Sequence, residues 1–186
     1  MSNKLRIIGG EWRSRQIGFD DAPGLRPTPG RVRETLFNWL QAEVANSRCL
    51  DLYAGSGALG FEAASRGANS IVQVENNAKT CQKLRENCRL LGANQIQVVQ
   101  QDVNQYLMLG GDQFDLVFLD PPFGLNMIQE TSRLLNQAGW LASFAKIYIE
   151  AERGLVLSDM PSTWNVLKQK TAGDVAYYLF QKTDAN

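Results

Sequence analysis

The sequence Asp120-Pro121-Pro122-Phe123 combines residue types that can hold an amino group in one orientation. Two prolines stiffen the backbone and remove two N–H donors, so the turn presents acceptors, namely the Asp120 carboxylate and the Pro121 carbonyl. The exocyclic amino group of a nucleic-acid base donates two hydrogens, and fixed acceptors turn its lone pair toward an incoming group. Phe123 offers a ring on which a base that has left its stack can lie. The turn therefore predicts catalysis by positioning, and this chemistry needs no histidine.

A glycine-rich stretch, Gly55-x-Gly57-x-x-Gly60, allows a tight turn and a close approach of the backbone to a ligand. The same spacing occurs in dinucleotide-binding proteins, so by itself it leaves NAD open. A pyrophosphate prefers helix-terminal N–H groups with no anion nearby. Asp51, four residues before Gly55, places a carboxylate near the turn, which repels phosphate and suits a cationic amino acid or a sulfonium.

Two further carboxylates end the next predicted strands. Glu75 stands twenty residues after Gly55 and can accept hydrogen bonds from both hydroxyls of a ribose. Asp102 can accept from an adenine amino group, although an aspartate at this point can also serve only as a helix cap. Asp51, Glu75 and Asp102 together match an ammonium, a ribose and an adenine, so the pattern favours S-adenosylmethionine over NAD.

The composition removes several other classes of protein. The chain has no histidine, which excludes Ser-His-Asp and Cys-His nucleophiles, histidine bases and most catalytic zinc sites. Its three cysteines form no Cys-x-x-Cys, so we expect neither a disulfide framework nor a metal. No apolar run approaches the roughly 18 residues of a membrane span, and the polar start lacks a signal-peptide pattern. We therefore expect a cytoplasmic protein with no membrane partner.

An alternation of strands and helices begins near Arg48 and must place these side chains. It predicts strands at 49–53, 70–75, 96–100, 114–119 and 146–151, and helices at 58–66, 77–91, 103–109 and 126–138. Such alternation indicates an α/β fold with a parallel sheet covered by helices on both faces. Strands predicted at 164–171 and 175–182 are joined by a tight turn, so they close the sheet as an antiparallel hairpin. Ligands bind at the carboxyl ends of parallel strands, where the motifs stand.

The N-terminal part differs from the rest in charge and pattern. Apolar clusters on either side of Gly9-Gly10 predict a hairpin at 5–19, and residues 20–30 are rich in proline and glycine, which predicts a loop. Thr28 can cap a helix that has Pro29 at its first position. Residues 1–33 carry a net charge of +4 in a chain of net charge zero, which indicates a local phosphate site. We divide the chain into 1–45, an RNA-binding appendage, and 46–186, a cofactor-binding domain.

These motifs resemble a known group of proteins. The stretches around Asp51, Glu75, Asp102 and Asp120 look like those of class I S-adenosylmethionine-dependent methyltransferases that act on amino groups. The N-terminal sequence is similar to the RsmD family of bacterial 16S ribosomal RNA guanine-N2 methyltransferases; it runs Arg6-Ile7-Ile8-Gly9-Gly10-Glu11-Trp12-Arg13-Ser14-Arg15, then Arg26-Pro27-Thr28 and Arg31-Val32-Arg33-Glu34-Thr35-Leu36-Phe37-Asn38-Trp39-Leu40. The resemblance spans nearly the whole chain.

The resemblance implies a Rossmann-like fold with a seven-stranded sheet, a monomer, and 16S ribosomal RNA in an assembling small subunit as the partner. It implies base handling by Asp120, Pro121, Pro122 and Phe123. The cofactor S-adenosylmethionine is expected to contact Asp51, Ala54, Gly55, Ser56, Gly57, Glu75, Asn76, Asp102 and Val103. Five arginines are candidates to grip RNA phosphates, with Trp12 as a stacking partner: Arg13, Arg15, Arg26, Arg31 and Arg33.

Three alternatives remain. An NAD-dependent oxidoreductase needs a proton-transfer group facing the nicotinamide, and the chain has no histidine to supply it. A non-catalytic RNA-binding assembly factor can retain a relic cofactor pocket. An adenine-N6 nucleic-acid methyltransferase can use the same Asp-Pro-Pro-Phe turn, because the turn serves either amino group; only the N-terminal resemblance favours guanine in RNA.

Overall fold

A computed structural model describes residues 2–21, 25–124 and 127–183. Nine strands and five helices occupy these ranges. The strands are β1 Ser2–Arg6, β2 Gln16–Asp20, β3 Arg48–Leu52, β4 Ser70–Glu75, β5 Ile96–Gln100, β6 Phe114–Leu119, β7 Leu141–Glu152, β8 Trp164–Ala172 and β9 Val175–Lys182. The helices are α1 Gly30–Trp39, α2 Ala58–Ser65, α3 Ala78–Leu91, α4 Val103–Met108 and α5 Met127–Gln137. None of the helices in these ranges has the length and apolar character needed to cross a membrane.

Seven strands form one sheet in the order β5-β4-β3-β6-β7-β9-β8. The first five are parallel, whereas β9 lies antiparallel between β7 and β8. This confirms the predicted α/β fold with a C-terminal hairpin. Strand β7 begins earlier than predicted, at Leu141, and its pairing with β6 shifts register between Phe114 and Leu116. Phe144 within β7 has a φ of 61° and is exposed, so the first part of the strand departs from the regular alternation of buried and exposed residues.

Helices cover both faces of the sheet because the central strands are apolar on both sides. On one face the core includes residues from the N-terminal hairpin and helices α1 to α3, among them Ile7, Trp12, Leu36, Phe61 and Leu84. On the other face, α4 and α5 pack on strands through a second cluster that includes Val103, Leu107, Ile128, Leu135 and Trp140. Helix α2 is buried over its whole length.

The N-terminal hairpin is confirmed, with Leu5 opposite Ile17 in an antiparallel pair. The two strands are not joined by a tight turn at Gly9-Gly10. Residues 7–15 form a longer connection that contacts the end of α2. There the Glu11 N–H donates to the Ser65 carbonyl at 2.7 Å, and the Trp12 N–H donates to Ser65 Oγ at 2.9 Å. The hairpin therefore packs on the sheet domain, and the division at residue 45 stays a prediction.

The entry into α1 differs from the prediction. Pro29 occupies the N-cap position, and no side chain caps the helix. Thr28 therefore does not act as the cap, because its hydroxyl faces the carboxyl end of β6 instead. Part of the predicted loop, residues 22–24, lies outside the described residues, as does residue 126, the predicted start of α5.

Candidate active site

The two motifs meet at the carboxyl edge of the sheet. Strands β3 and β6 are parallel neighbours, with Leu52 opposite Leu119, so the turns that follow them leave the sheet side by side. A cleft of about 520 Å³ opens between these turns and is lined by both. This cleft contains the glycine turn on one side and Asp120-Pro121-Pro122-Phe123 on the other. The geometry needed for transfer between a bound cofactor and a bound amino group is therefore present.

The glycine turn is fixed by its own backbone and by the end of β4. Gly55 and Gly57 have φ values of 53° and 76°, which L side chains adopt at a cost. A Cβ on Gly57 would lie 2.6 Å from the Phe61 ring, so the turn packs directly on the core. The Gly55 N–H donates to Glu75 Oε2 at 3.0 Å, and the Asn77 N–H donates to Glu75 Oε1 at 2.8 Å. Glu75 thereby connects the turn to the start of α3.

Asp51 lies beneath the turn and is 2% exposed. Its Oδ2 accepts from the Gly60 N–H at 3.0 Å and from Gln73 Nε2 at 3.2 Å. Burial raises the pKa of Asp51 to about 7, against the opposing effect of these two hydrogen bonds. A Cβ on Gly60 would lie 2.4 Å from Gln73 Nε2, so only glycine lets the helix approach this pair.

Asp102 acts as the helix cap that the sequence left open, and its contact with adenine stays a prediction. Its Oδ1 accepts from the Gln105 N–H at 3.0 Å and so caps α4. The same residue lines the cleft together with Asn76 and Val103. A side chain that caps a helix is held in place, and its remaining lone pairs stay available to a ligand.

The donor set of the cleft fits S-adenosylmethionine. Carboxylates stand at three successive strand ends, one beside a glycine turn, and they complement a ligand with a positive charge, ribose hydroxyls and an adenine amino group. Ala54 and Ser56 line the same wall, while Gly57 contributes through its backbone conformation. No group of three or more potential metal ligands occurs within residues 2–21, 25–124 and 127–183.

Asp120 occupies the opposite wall of the cleft. Thr28 Oγ1 donates to its Oδ2 at 3.3 Å. Burial and the nearby carboxylates of Glu150 and Asp51 raise the pKa of Asp120 well above its ordinary value. Phe123, at the rim, is 38% exposed, which leaves its ring accessible to a base.

Several cleft residues were not assigned to the site from the sequence, among them the polar residues Thr28, Tyr53 and Glu150. Tyr53 follows β3 with a φ of 61°, and its hydroxyl lies 2.7 Å from Thr131 Oγ1 on α5. Glu150 gave one signal, because it is an acidic residue directly after the apolar run Ile147-Tyr148-Ile149. Thr28 gave none beyond its place in the Arg26-Pro27-Thr28 block that resembles the RsmD family.

The arginine candidates separate into two groups. Arg13, Arg15, Arg26 and Arg31 are exposed, and Arg26 lines the cleft. Arg33 is only 4% exposed, and it donates to Glu62 and to the carbonyls of Arg6 and Thr28. The prediction that Arg33 grips RNA is wrong, since its guanidinium is buried against these acceptors.

Trp12 must also be corrected as an RNA-stacking residue. It is 4% exposed and belongs to the hydrophobic core. The apolar surroundings of its ring leave no face for a base.

Comparison with known proteins identifies relatives along the whole chain. The family described as Conserved hypothetical protein 95 matches residues 5–181. The chain is 45% identical over 181 residues to ribosomal RNA small subunit methyltransferase D of Escherichia coli K12, covering 97% of this chain and 91% of the relative. It is 42% identical over 182 residues to the protein of the same name from Haemophilus influenzae, with 96% and 94% coverage.

Solved structures agree with the sequence relatives. An Escherichia coli structure described as a methyltransferase is 43% identical, with a TM-score of 0.89 and coverage of 98% of this chain and 100% of that one. A structure described as a methyltransferase complexed with SAH is 16% identical, with a TM-score of 0.71. The match covers 97% of this chain and 56% of that one, and at this identity it supports the fold alone. The chain belongs to the Conserved hypothetical protein 95 family, the RsmD family of S-adenosylmethionine-dependent ribosomal RNA methyltransferases.

Proposed function

We propose that this protein transfers a methyl group from S-adenosylmethionine to the exocyclic N2 amino group of a guanine in 16S ribosomal RNA. One observation carries the proposal: the glycine turn and the Asp120 turn line a single cleft. The relatives named as small-subunit ribosomal RNA methyltransferases support the choice of RNA.

On the cofactor side of the cleft, the residues bind and orient S-adenosylmethionine. Asp51 in its ionised form attracts the ammonium of the methionine part, Glu75 accepts from the ribose, and Asp102 accepts from the adenine. The backbone of Ala54, Gly55 and Gly57 lets the ligand approach closely. When bound, the cofactor supplies an electrophilic methyl group on a positively charged sulfur.

On the base side, the Asp120 carboxylate and the Pro121 carbonyl accept the two amino hydrogens, and Phe123 stacks on the ring. Fixing both hydrogens turns the nitrogen lone pair toward the methyl position. The nucleophile is therefore already oriented before the reaction, which lowers the entropic cost of reaching the transition state. The two prolines keep N–H donors away from this nitrogen. The amino group loses one proton during the transfer, and Asp120 is the acceptor nearest to it.

The RNA itself is held at a distance from the chemistry. Exposed arginines of the N-terminal part, Arg13, Arg15, Arg26 and Arg31, present positive charge to phosphates around the cleft. We infer that the protein acts as a monomer on an assembling small subunit in the cytoplasm, where ribosomal RNA is processed during ribosome biogenesis.

Mass spectrometry of 16S ribosomal RNA from cells with and without the protein tests the proposal. We expect one N2-methylguanosine to disappear when the gene is removed and to return when it is restored. Loss of an N6-methyladenosine would support the adenine alternative instead. An unchanged set of modified nucleosides would support a non-catalytic assembly factor and would overturn the proposal.

A further inference from the structure

A second buried carboxylate lies behind Asp120. Glu150, near the end of β7, lines the cleft but is only 3% exposed. Its strand is the parallel neighbour of β6, whose last residue precedes Asp120, so the topology brings the two acids to the same strand edge. The Tyr148 hydroxyl donates to Glu150 Oε1 at 2.9 Å from within the protein. Glu150 is therefore held in place from the side that faces away from the cleft.

Thr28 connects the two acids. Its hydroxyl donates to Asp120 Oδ2 at 3.3 Å and also interacts with the side chain of Glu150. A hydroxyl has one hydrogen to give and two lone pairs to accept with. It can therefore donate to one acid while it accepts from the other, provided that this other acid carries a proton. Arg33 Nε holds the loop by donating to the Thr28 carbonyl at 3.2 Å.

The negative charge of Asp120 and Glu150 is not neutralised by an ion pair with a lysine or arginine in the described part of the chain. The titratable groups that face the pair are Asp51 from β3 and Tyr148 from β7, with Arg26 at the exposed rim of the cleft. Each of two buried acids at one strand edge disfavours ionisation of the other, so the pair holds a proton more readily than an isolated acid does.

We propose that Glu150 is a positioning residue that, together with Thr28, makes Asp120 the proton acceptor for methyl transfer. The inference rests on the proposed function and adds a partner to Asp120. In the step, the bond between the amino nitrogen and the methyl carbon forms and the carbon–sulfur bond breaks. One N–H bond of the amino group also breaks, and its proton passes to the Asp120 carboxylate. Glu150 favours this transfer because each added proton removes like-charge repulsion in the pair.

Two substitutions move the pKa of Asp120 in opposite directions. Glu150→Gln removes a neighbouring negative charge, so the pKa of Asp120 falls. Thr28→Val removes a hydrogen bond to the charged form, so the pKa of Asp120 rises, whereas Thr28→Ser keeps the hydroxyl and restores the wild-type value. Glu152→Gln is the matched control, since Glu152 is an exposed acid two residues along the same strand. Misfolding alone cannot explain a pKa of Asp120 that falls in Glu150→Gln, rises in Thr28→Val and returns to the wild-type value in Thr28→Ser.

The first measurement is a carbon-13 NMR titration of the aspartate carboxyls in the cofactor-free protein, with Asp120 assigned by comparison with Asp120→Asn. The second is the pH profile of single-turnover methyl transfer, whose acidic limb should move with the NMR midpoint. On the plateau above the acidic limb, the rate of Glu150→Gln should be about 3- to 10-fold lower than that of wild type, because a weaker base accepts the proton less readily.

An Asp120 midpoint unchanged in Glu150→Gln, or equal midpoints in Thr28→Val and Thr28→Ser, would overturn the inference. A wild-type protein that transfers no methyl group to RNA would instead overturn the proposed function. The NMR titration would still decide whether Glu150 and Thr28 govern Asp120.

Discussion

Five carboxylates line one cleft, and four of them, other than Glu150, are each held by different donors. Asp51 accepts from a helix N–H and a buried amide, Glu75 from two backbone N–H groups, Asp102 from the start of α4, and Asp120 from a threonine hydroxyl. The donors fix the direction of each carboxylate before any ligand arrives. Burial raises the pKa of two of these acids, Asp51 and Asp120, above the ordinary value of an aspartate.

Asp51 should couple cofactor binding to pH. Its pKa is about 7 in the folded protein, and only the ionised form attracts an ammonium. We expect the affinity for S-adenosylhomocysteine to rise about 10-fold from pH 6 to pH 8, and Asp51→Asn to remove most of this dependence. Calorimetric titration at several pH values measures it. Asp112→Asn, a change at an exposed acid, should show the same pH dependence as wild type. Equal pH dependence in wild type and Asp51→Asn would contradict the claim that ionisation of Asp51 controls the affinity.

The same pKa predicts how stability changes with pH. The folded protein holds a proton on Asp51 that the unfolded chain releases near pH 4, so this contribution is fully present below pH 4 and is lost as pH rises to about 7. The free energy of unfolding should therefore fall over this range, and less steeply in Asp51→Asn. Urea unfolding at pH 4.5 and pH 7.5 measures the difference. A wild-type slope that Asp51→Asn leaves unchanged would show that Asp51 titrates at its ordinary pKa.

At the scale of elements, one buried acid joins the N-terminal part to the sheet. Glu62 on α2 is fully buried and accepts from the N–H groups of Ile8 and Gly9 at 2.9 and 2.8 Å. It also pairs with Arg33 at 3.3 Å and with Arg66 at 2.8 Å. Through Arg33 this network reaches the Thr28 carbonyl, so it holds the loop that carries the threonine hydroxyl to Asp120. Within the arginine block predicted to bind RNA, Arg33 is therefore structural, whereas RNA binding by the exposed arginines stays a prediction.

Substitution of two neighbouring arginines separates these two roles. Arg33→Met leaves Glu62 and two carbonyls short of donors, so we expect a loss of about 2–4 kcal/mol in the free energy of unfolding. Arg31→Met, at an exposed position of the same helix, should change stability by less than about 0.5 kcal/mol. Urea denaturation followed by circular dichroism gives both values. Equal stability of the two variants would contradict the structural role of Arg33.

The elements themselves were largely predictable, because strand and helix patterns depend on neighbours in sequence. The positions of Asp51, Glu75, Asp102 and Asp120 followed, since each stands at the end of a strand. Contacts between distant parts of the chain were not predictable. The Thr28–Asp120 bond joins residues 92 apart, and the Arg33–Glu62 pair joins residues 29 apart. No local pattern distinguishes a buried arginine in such a pair from an exposed one.

At the scale of the molecule, the positive and negative charges balance but are unevenly distributed. The net charge is zero, yet the N-terminal part is basic while the cleft is lined with acids. We expect the first surface to attract RNA phosphates and the second to repel them, so that the backbone stays outside while an uncharged base enters the cleft. This arrangement favours an unstacked base over a duplex segment.

Salt dependence tests the basic surface. Each arginine that neutralises a phosphate contributes about 0.7 to 0.9 to the slope of log affinity against log salt. Arg26→Gln with Arg31→Gln should therefore make the slope for small-subunit ribosomal RNA less steep by about 1.5. Lys168→Gln with Lys170→Gln removes the same charge from exposed positions on β8 and should leave the slope unchanged. Equal slopes in both double variants would place RNA elsewhere on the protein.

Methyl transfer by Asp120→Ala tests most directly the claim that one cleft joins cofactor and base. The assay incubates purified protein with labelled S-adenosylmethionine and small ribosomal subunits that lack the modification, then identifies the methylated nucleoside. Wild type should yield N2-methylguanosine, and Asp120→Ala should lose at least about 100-fold in rate while its affinity for S-adenosylhomocysteine stays within about twofold of wild type. Undiminished transfer by Asp120→Ala, with the same product, would contradict the account.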